Sequence, residues 1–127
     1  YKKYVQPTHE KIFSALIPTT PSILFTKESP HLDLMLRSGA SVLSVGSCIN
    51  LAEAKKLAPD VVFQGNVDNR ILAEGTPEEI SEAVRKCFDQ SGRKNHILNL
   101  NHGLLERTPF ENVQHFVNVA KELGRVE

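Results

Sequence analysis

Apolar positions along this chain follow two periods in alternation. Short runs with little polar interruption, Ile23-Leu24-Phe25, Val42-Leu43 with Val45, Val61-Val62-Phe63, and Ile97-Leu98 with Leu100, have the length and composition of buried strands. After each run the apolar residues re-space to intervals of three and four: Leu32, Met35 and Leu36; Leu51, Ala54 and Leu57; Ile80, Ala83, Val84, Cys87 and Phe88; Phe110, Val113, Phe116, Val117 and Ala120. That spacing is the stripe of a helix with one face turned to a core. A further stripe, Val5, His9, Ile12, Phe13, Leu16 and Ile17, precedes the first strand, and His9 on its apolar side reads as a packed histidine. Pro18 and Pro21 bracket the loop between them.

The punctuation agrees with this division. Ser29-Pro30, Thr76-Pro77 and Thr108-Pro109 each set a capping hydroxyl before a proline at the first helical position, where a missing N–H costs nothing. Asn50 with Glu53, and Thr76 with Glu79, have the spacing of a capping box, and Gly39, Pro59, Gly92 and Gly124 close the helices.

Strands alternating with helices imply parallel strands joined by right-handed crossovers. The first three strands begin near positions 23, 42 and 61, so each strand-helix unit is compact. Eight such units make a (β/α)8 TIM barrel of ~250 residues, so the chain is expected to be a single segment, residues 1–127, forming the carboxyl-terminal half of one. A four-stranded open doubly wound sheet is the rival, weakened by the lack of a GxGxxG fingerprint. Half a barrel exposes two sheet edges and one interior face, so the segment is expected to need its other half or a partner. A start at Tyr1 within a helical pattern, with Met35 the only methionine, points to a piece of a longer protein.

Lysine plus arginine total 15 and aspartate plus glutamate total 15, which leaves no net charge to draw the chain to nucleic acid or an anionic membrane. Any anion must be held by a local cluster. There is no apolar run of ~18 residues and no leader pattern, so a soluble, cytoplasmic protein is expected. Cys48 and Cys87, without CxxC spacing, form neither a zinc site nor a disulfide framework, and both are expected to be reduced and buried.

Parallel strands would bring Lys27 and Glu28, Ser47 and Cys48, Asn66 and Asp68, and Asn101 and His102 to one rim. The stretch from His96 to Leu105, a strand running into Asn101-His102-Gly103, is the strongest candidate for chemistry. An imidazole there suits proton donation or oriented hydrogen bonding near neutral pH, although a loop histidine would look the same. Asp68 could accept from an N–H or bind a cation, or be ordinary turn chemistry. Lys27 could meet an anionic substrate or simply be solvated. His115 falls beside the last helix's apolar face and reads as a surface or rim residue.

Gln64-Gly65-Asn66-Val67-Asp68 resembles the QGNLDP signature of uroporphyrinogen decarboxylase, and Asn99-Leu100-Asn101-His102-Gly103-Leu104 resembles its NLGHG signature. The likeness extends to Phe25-Thr26-Lys27 and to Thr108-Pro109-Phe110-Glu111-Asn112-Val113, in the same order and spacing. It implies a barrel enzyme of haem and porphyrin biosynthesis, forming homodimers, that removes CO2 from the four acetate arms of uroporphyrinogen III to give coproporphyrinogen III without metal or organic cofactor. Protonating the pyrrole ring provides the sink for the electron pair that CO2 leaves behind. Such an enzyme needs an acid, an anion near the pyrrole N–H groups, and cations for the substrate carboxylates.

The family's RQAGRY segment and the aspartate proposed to bind the pyrrole N–H groups belong to the amino-terminal half, so of the principal cleft residues only the histidine carries over, as His102. The resemblance gives His102 a catalytic or substrate-binding role, with Lys27, Gln64, Asn66, Asp68 and Asn99 as supporting substrate-binding positions. The segment alone is expected to be inactive, with uroporphyrinogen and the amino-terminal half as its partners. The family pattern is broken where Asn101 replaces glycine, where Asn69 replaces proline, and where Gly46-Ser47 stands for the frequent Asp-Trp. The alternatives are a cobalamin-dependent methyltransferase relative, dependent on zinc and a corrinoid, and a non-catalytic half-barrel module.

Overall fold

A computed structural model describes residues 1–16 and 19–125. Ile17 and Pro18, read as a helix end and a loop start, lie outside the described residues. The elements in order are α1 (Val5–Ala15), β1 (Ile23–Phe25), α2 (Leu32–Met35), β2 (Val42–Ser44), α3 (Leu51–Leu57), β3 (Val62–Gln64), α4 (Asn69–Glu74), α5 (Pro77–Ser91), β4 (His96–Ile97) and α6 (Phe110–Leu123). The strands form one sheet in the order β1-β2-β3-β4, with every pairing parallel. Parallel strands alternating with helices are the arrangement of part of a (β/α)8 barrel, as the spacing predicts.

Register decides which side chains meet. Leu24, Leu43 and Phe63 lie across from one another and are 5, 2 and 0% exposed, packed with Met35, Leu51, Leu72 and Ile80 in one core. Burying each such side chain fully stabilises the fold by about 1.5–3 kcal/mol. One residue further along, Phe25, Ser44, Gln64 and Ile97 form the next row. Successive strand residues point to opposite faces, and Phe25 and Ile97 in this row are 48 and 42% exposed. Helices seal the face of Leu24, Leu43 and Phe63, while the other row, facing the inside of a barrel, is exposed at its edge strands and buried at Ser44 in β2.

The best-formed helix is α5. Thr76 and Glu79 make the reciprocal capping box, Pro77 stands at its start, and Gly92 ends it at φ 65°, a left-handed conformation that favours glycine. Ile80, Val84, Cys87 and Phe88 are its buried face. Asn50 caps α3 by accepting from the Ala52 and Glu53 N–H groups.

Other expectations need correction. Helix α2 starts at Leu32 with His31 as its cap, and α6 has Pro109 itself at the cap, so only Pro77 takes the first helical position. Helix α6 has no buried residue, and Phe110 and Val117 are exposed, because the sheet ends at β4 and offers nothing beyond it for that face to cover. The α1 stripe is likewise mostly uncovered beside the opposite edge: Phe13 packs on the core while Val5, Ile12 and Leu16 are exposed. Leu57 is exposed, β4 stops at an exposed Ile97, and Cys48 is exposed rather than buried. His115 is half-buried beside the α6 face, as a rim residue would be, and its Nε2 lies 2.8 Å from the Ser81 hydroxyl and 2.9 Å from the Pro77 carbonyl, fastening α6 to α5. The polar turn after β3 opens a helix, α4, that the apolar spacing did not reveal.

His96 is the one histidine set between sheet and helix. Its Nε2 lies 2.6 Å from the Gly65 carbonyl, its ring meets Phe88 edge-on, and its Nδ1 is buried without a partner among the described residues. Burial pushes its pKa below the ordinary value and Lys55 adds to this, while the Gly65 carbonyl partly opposes it. The folded chain therefore excludes a proton that the unfolded chain accepts below about pH 6.5. Stability from this group should be complete above that pH and fall as pH drops through it, by at most about 1.4 kcal/mol per pH unit. Melting curves between pH 7.5 and 5.5 check this: the loss should be smaller in His96→Asn, and equal losses in both proteins would contradict it.

Candidate active site

Chain geometry at the carboxyl ends of the strands is built from turns that carry polar groups inward. After β1, Lys27 adopts φ 53°, a left-handed conformation unusual for a residue with a side chain, and Glu28 follows it. The Glu28 carboxylate accepts from the Ser47 N–H at 3.0 Å, the Ser47 hydroxyl at 3.2 Å, the Cys48 N–H at 3.0 Å and the Asn101 side-chain amide at 2.6 Å. Burial raises the pKa of this carboxyl, but the donors outweigh it, so the group sits below the usual carboxylate range. Gly46 makes the approach possible, because a Cβ there would lie 2.5 Å from Glu28 Oε2 and 2.6 Å from the Lys27 carbonyl.

After β3, Gly65 at φ 122° turns the chain, and Asn66 donates to the carbonyls of Gly46 at 2.8 Å and Ile49 at 2.7 Å, tying this loop to the one after β2. Asp68 caps α4 by accepting from the Arg70 N–H and pairs with the Arg70 guanidinium at 2.6 Å. Arg70 is the main reason its carboxyl sits below the ordinary value, against the opposing effect of burial.

His102 follows β4 on an exposed bend. Its Nδ1 accepts from the Gly103 N–H at 2.8 Å, so in the neutral ring the proton is on Nε2, which has no hydrogen-bond partner among the described residues. Its ring centroid lies 5.8 Å from that of Phe25, on the strand at the other edge of the sheet. With the Glu28 to Asn101 bond, this contact joins the two edge strands across the rim.

The residues singled out from sequence divide into two groups. His102 meets Phe25, which lies in the open-face row with Gln64, and Gln64 donates to Ser44 in that same row at 3.1 Å. Lys27 is exposed at the same rim, with an ammonium that makes no hydrogen bond or ion pair among the described residues. Asn66 and Asp68 instead line a cavity of about 500 Å³ shared with Arg70, Lys86 and Gln90, to which His102 and Lys27 do not contribute. Asn99 accepts from the N–H of its neighbour Leu100 and joins neither group. Sequence reasoning set Glu28 at the rim without giving it a role. The signal was in the three breaks of pattern: Ser47, Asn69 and Asn101 are polar where the motif has other residues, and all three belong to the Glu28 network.

A family model described as uroporphyrinogen decarboxylase matches residues 1–123. Among similar curated proteins, a uroporphyrinogen decarboxylase of Trichodesmium erythraeum is 38% identical over 109 residues, covering 84% of this chain and 30% of the relative. One of Nostoc punctiforme is 36% identical over 129 residues, covering 98% and 36%. Uroporphyrinogen decarboxylase 2, chloroplastic, of Arabidopsis thaliana is 39% identical over 108 residues, covering 84% and 27%. The chain thus spans about a third of the length of these relatives. Among solved structures, a methyltransferase from Methanosarcina mazei superposes with a TM-score of 0.80 at 20% identity, over 98% of this chain and 37% of that one, a likeness of fold alone. No helix among the described residues is long and apolar enough to cross a membrane.

The engagement of Asp68 by the start of α4 has a measurable consequence. Asp68→Ala removes the cap and the pair with Arg70 and should destabilise the fold by about 1 kcal/mol. Asp68→Asn keeps an oxygen for the Arg70 N–H and should lose less, since an exposed ion pair contributes little. Urea midpoints at constant slope measure both, and an Asp68→Ala protein as stable as the parent would remove the capping role.

Proposed function

The chain belongs to the uroporphyrinogen decarboxylase family, and from that premise we propose that it supplies the carboxyl-terminal half of an enzyme that decarboxylates the acetate arms of uroporphyrinogen III to give coproporphyrinogen III. The observation that carries the reading is the family match along residues 1–123, supported by the pairing of the two signature segments through Val67 and Leu100. In each cycle a pyrrole ring takes a proton, the bond from the arm's methylene carbon to its carboxylate breaks, and the electron pair flows into the ring. A proton then adds at the methylene carbon to leave a methyl group, and the ring gives its proton back.

His102 suits the proton-transfer or substrate-positioning part of this, because its Nε2 is unengaged while Gly103 holds Nδ1. Lys27, with an uncommitted ammonium, suits a substrate carboxylate. Gln64, Asn66, Asp68 and Asn99 shape the rim by their hydrogen bonds to Ser44, Gly46, Ile49, Arg70 and Leu100. The exposure of Phe25 and Ile97 on the inner face of the sheet supports an amino-terminal half as the missing cover.

A methyl-transferring relative would use a thiolate-bearing zinc set. That reading stands second because the matching family model and the similar curated proteins are uroporphyrinogen decarboxylases.

Assay of the full polypeptide carrying this chain should give coproporphyrinogen from uroporphyrinogen, and the 127 residues alone should give none. His102→Ala in the full polypeptide should lower kcat by about 10²- to 10⁴-fold, the usual worth of a positioned proton-transfer group. Unchanged turnover in that variant would remove His102 from the chemistry, and turnover by the 127 residues alone would remove the need for the other half.

A further inference from the structure

We infer that Glu28 is the positioning residue of this rim, the group through which the loops after all four strands take one arrangement and the His102 turn is held in it. The inference rests on the reading of His102 just given, and Glu28 lies outside the motif residues that carry the family resemblance.

The argument follows the hydrogen bonds outward. Glu28 belongs to the loop after β1, and its carboxylate accepts from Ser47 and Cys48 in the loop after β2 and from Asn101 in the loop after β4. Asn101 is buried, and its amide oxygen accepts from the Asn69 N–H at 2.8 Å in the segment after β3. That amide has one workable orientation, since reversing it would set its oxygen against the carboxylate and its NH2 against an N–H. Asn69 is buried as well, and its Nδ2 donates to the Gly103 carbonyl at 2.7 Å, while the Gly103 N–H donates to His102 Nδ1 at 2.8 Å. The Asn101 N–H also donates to the Val67 carbonyl at 2.8 Å. A continuous chain of bonds therefore runs from one carboxylate to the imidazole.

The backbone is shaped for this connection. Lys27 holds a left-handed conformation that a residue with a Cβ rarely adopts, and Gly46 leaves free the space that the carboxylate enters. An ionised carboxylate has about four acceptor positions, and the donors aimed at it are two backbone N–H groups, a hydroxyl and an amide. A glutamine would offer a single oxygen and point its own NH2 at a donor. The charge and the number of lone pairs are both required. Other ionisable groups near it are Arg70, held charged first by Asp68, then by Glu74 and last by Glu28, and Cys48, whose thiol burial pushes up, with Glu28 adding to it.

The test uses Glu28→Gln, Asn101→Ala and the double variant in the full polypeptide, with amide hydrogen exchange and steady-state kinetics on uroporphyrinogen. In Glu28→Gln the amides of Ser47, Cys48 and Asn69 should exchange at least about 10-fold faster, while the amides of α5 keep their protection, a pattern that general destabilisation would not give. Turnover should fall in kcat by about 10- to 100-fold, as a displaced catalytic group implies, with KM changed less than kcat. The double variant should be no worse than the poorer single variant, because groups in one network are not additive. Unchanged exchange at Ser47, Cys48 and Asn69, a loss spread equally over α5, or additive kinetic losses would each overturn the inference. If the parent polypeptide does not convert uroporphyrinogen, the proposed function falls, and the exchange pattern still decides whether Glu28 sets the rim.

Discussion

Parallel sheets occur almost only with both faces covered, and among the described residues the face of Leu24, Leu43 and Phe63 is sealed while Phe25 and Ile97 on the other are exposed. That constraint orders everything else in the molecule. Leu24, Leu43 and Phe63 point to the helices and are sealed with Met35, Leu51, Leu72 and Ile80, so the strands are anchored from behind. In the row Phe25, Ser44, Gln64 and Ile97, the residues of the two edge strands are exposed. Since apolar packing does not hold the rim from that inner side, hydrogen bonds between loops have to. Asn66 on the Gly46 and Ile49 carbonyls, and Glu28 on Ser47, Cys48 and Asn101, are those bonds.

Much of the architecture was legible because it depends on local periodicity. The four apolar runs mark the strands to within a residue at their starts for the first three, and Thr76-Pro77 with Glu79 names its own helix. What was not legible depends on what lies beyond the sheet edges. The stripes of α1 and α6 are as apolar as that of α5, yet α5 packs over the sheet's helix-covered face while the others flank edges. An amphipathic pattern reports the burial that a helix is built for, and a helix that flanks a sheet edge realises only part of it. Helix α4 was hidden for another reason: Asp68, Asn69 and Arg70 are polar, and a six-residue helix has too few turns for its apolar stripe to stand out.

The candidate site was legible at the level of which loops carry polar residues, and less so at the level of which residues face each other. Motif letters group Asp68 with His102, but Asp68 is engaged at the start of α4 by Arg70, away from the ring that rests near Phe25. Glu28 and His102 are 74 positions apart in the sequence and become neighbours in function only through two asparagines, Asn101 and Asn69. No periodicity records such a relay. It shows itself in the sequence only as polar residues where a motif usually has glycine or proline.

A carboxylate at the mouth of a site proposed for a polyanion looks like a contradiction, and its surroundings resolve it. Glu28 is met by two backbone N–H groups, a hydroxyl and an amide, so its lone pairs are saturated by protein donors rather than presented to a ligand. Arg70 lies close enough for the field of Glu28 to favour its charged form, and Lys27, the preceding residue, is a cation with no partner among the described residues. The chain as a whole is neutral, so a substrate carboxylate is drawn by local charge at the rim and not by a long-range field. Replacing Glu28 by a neutral residue would therefore do little to improve anion binding. It would release donors that hold loops together, and the position of the imidazole would be lost with them.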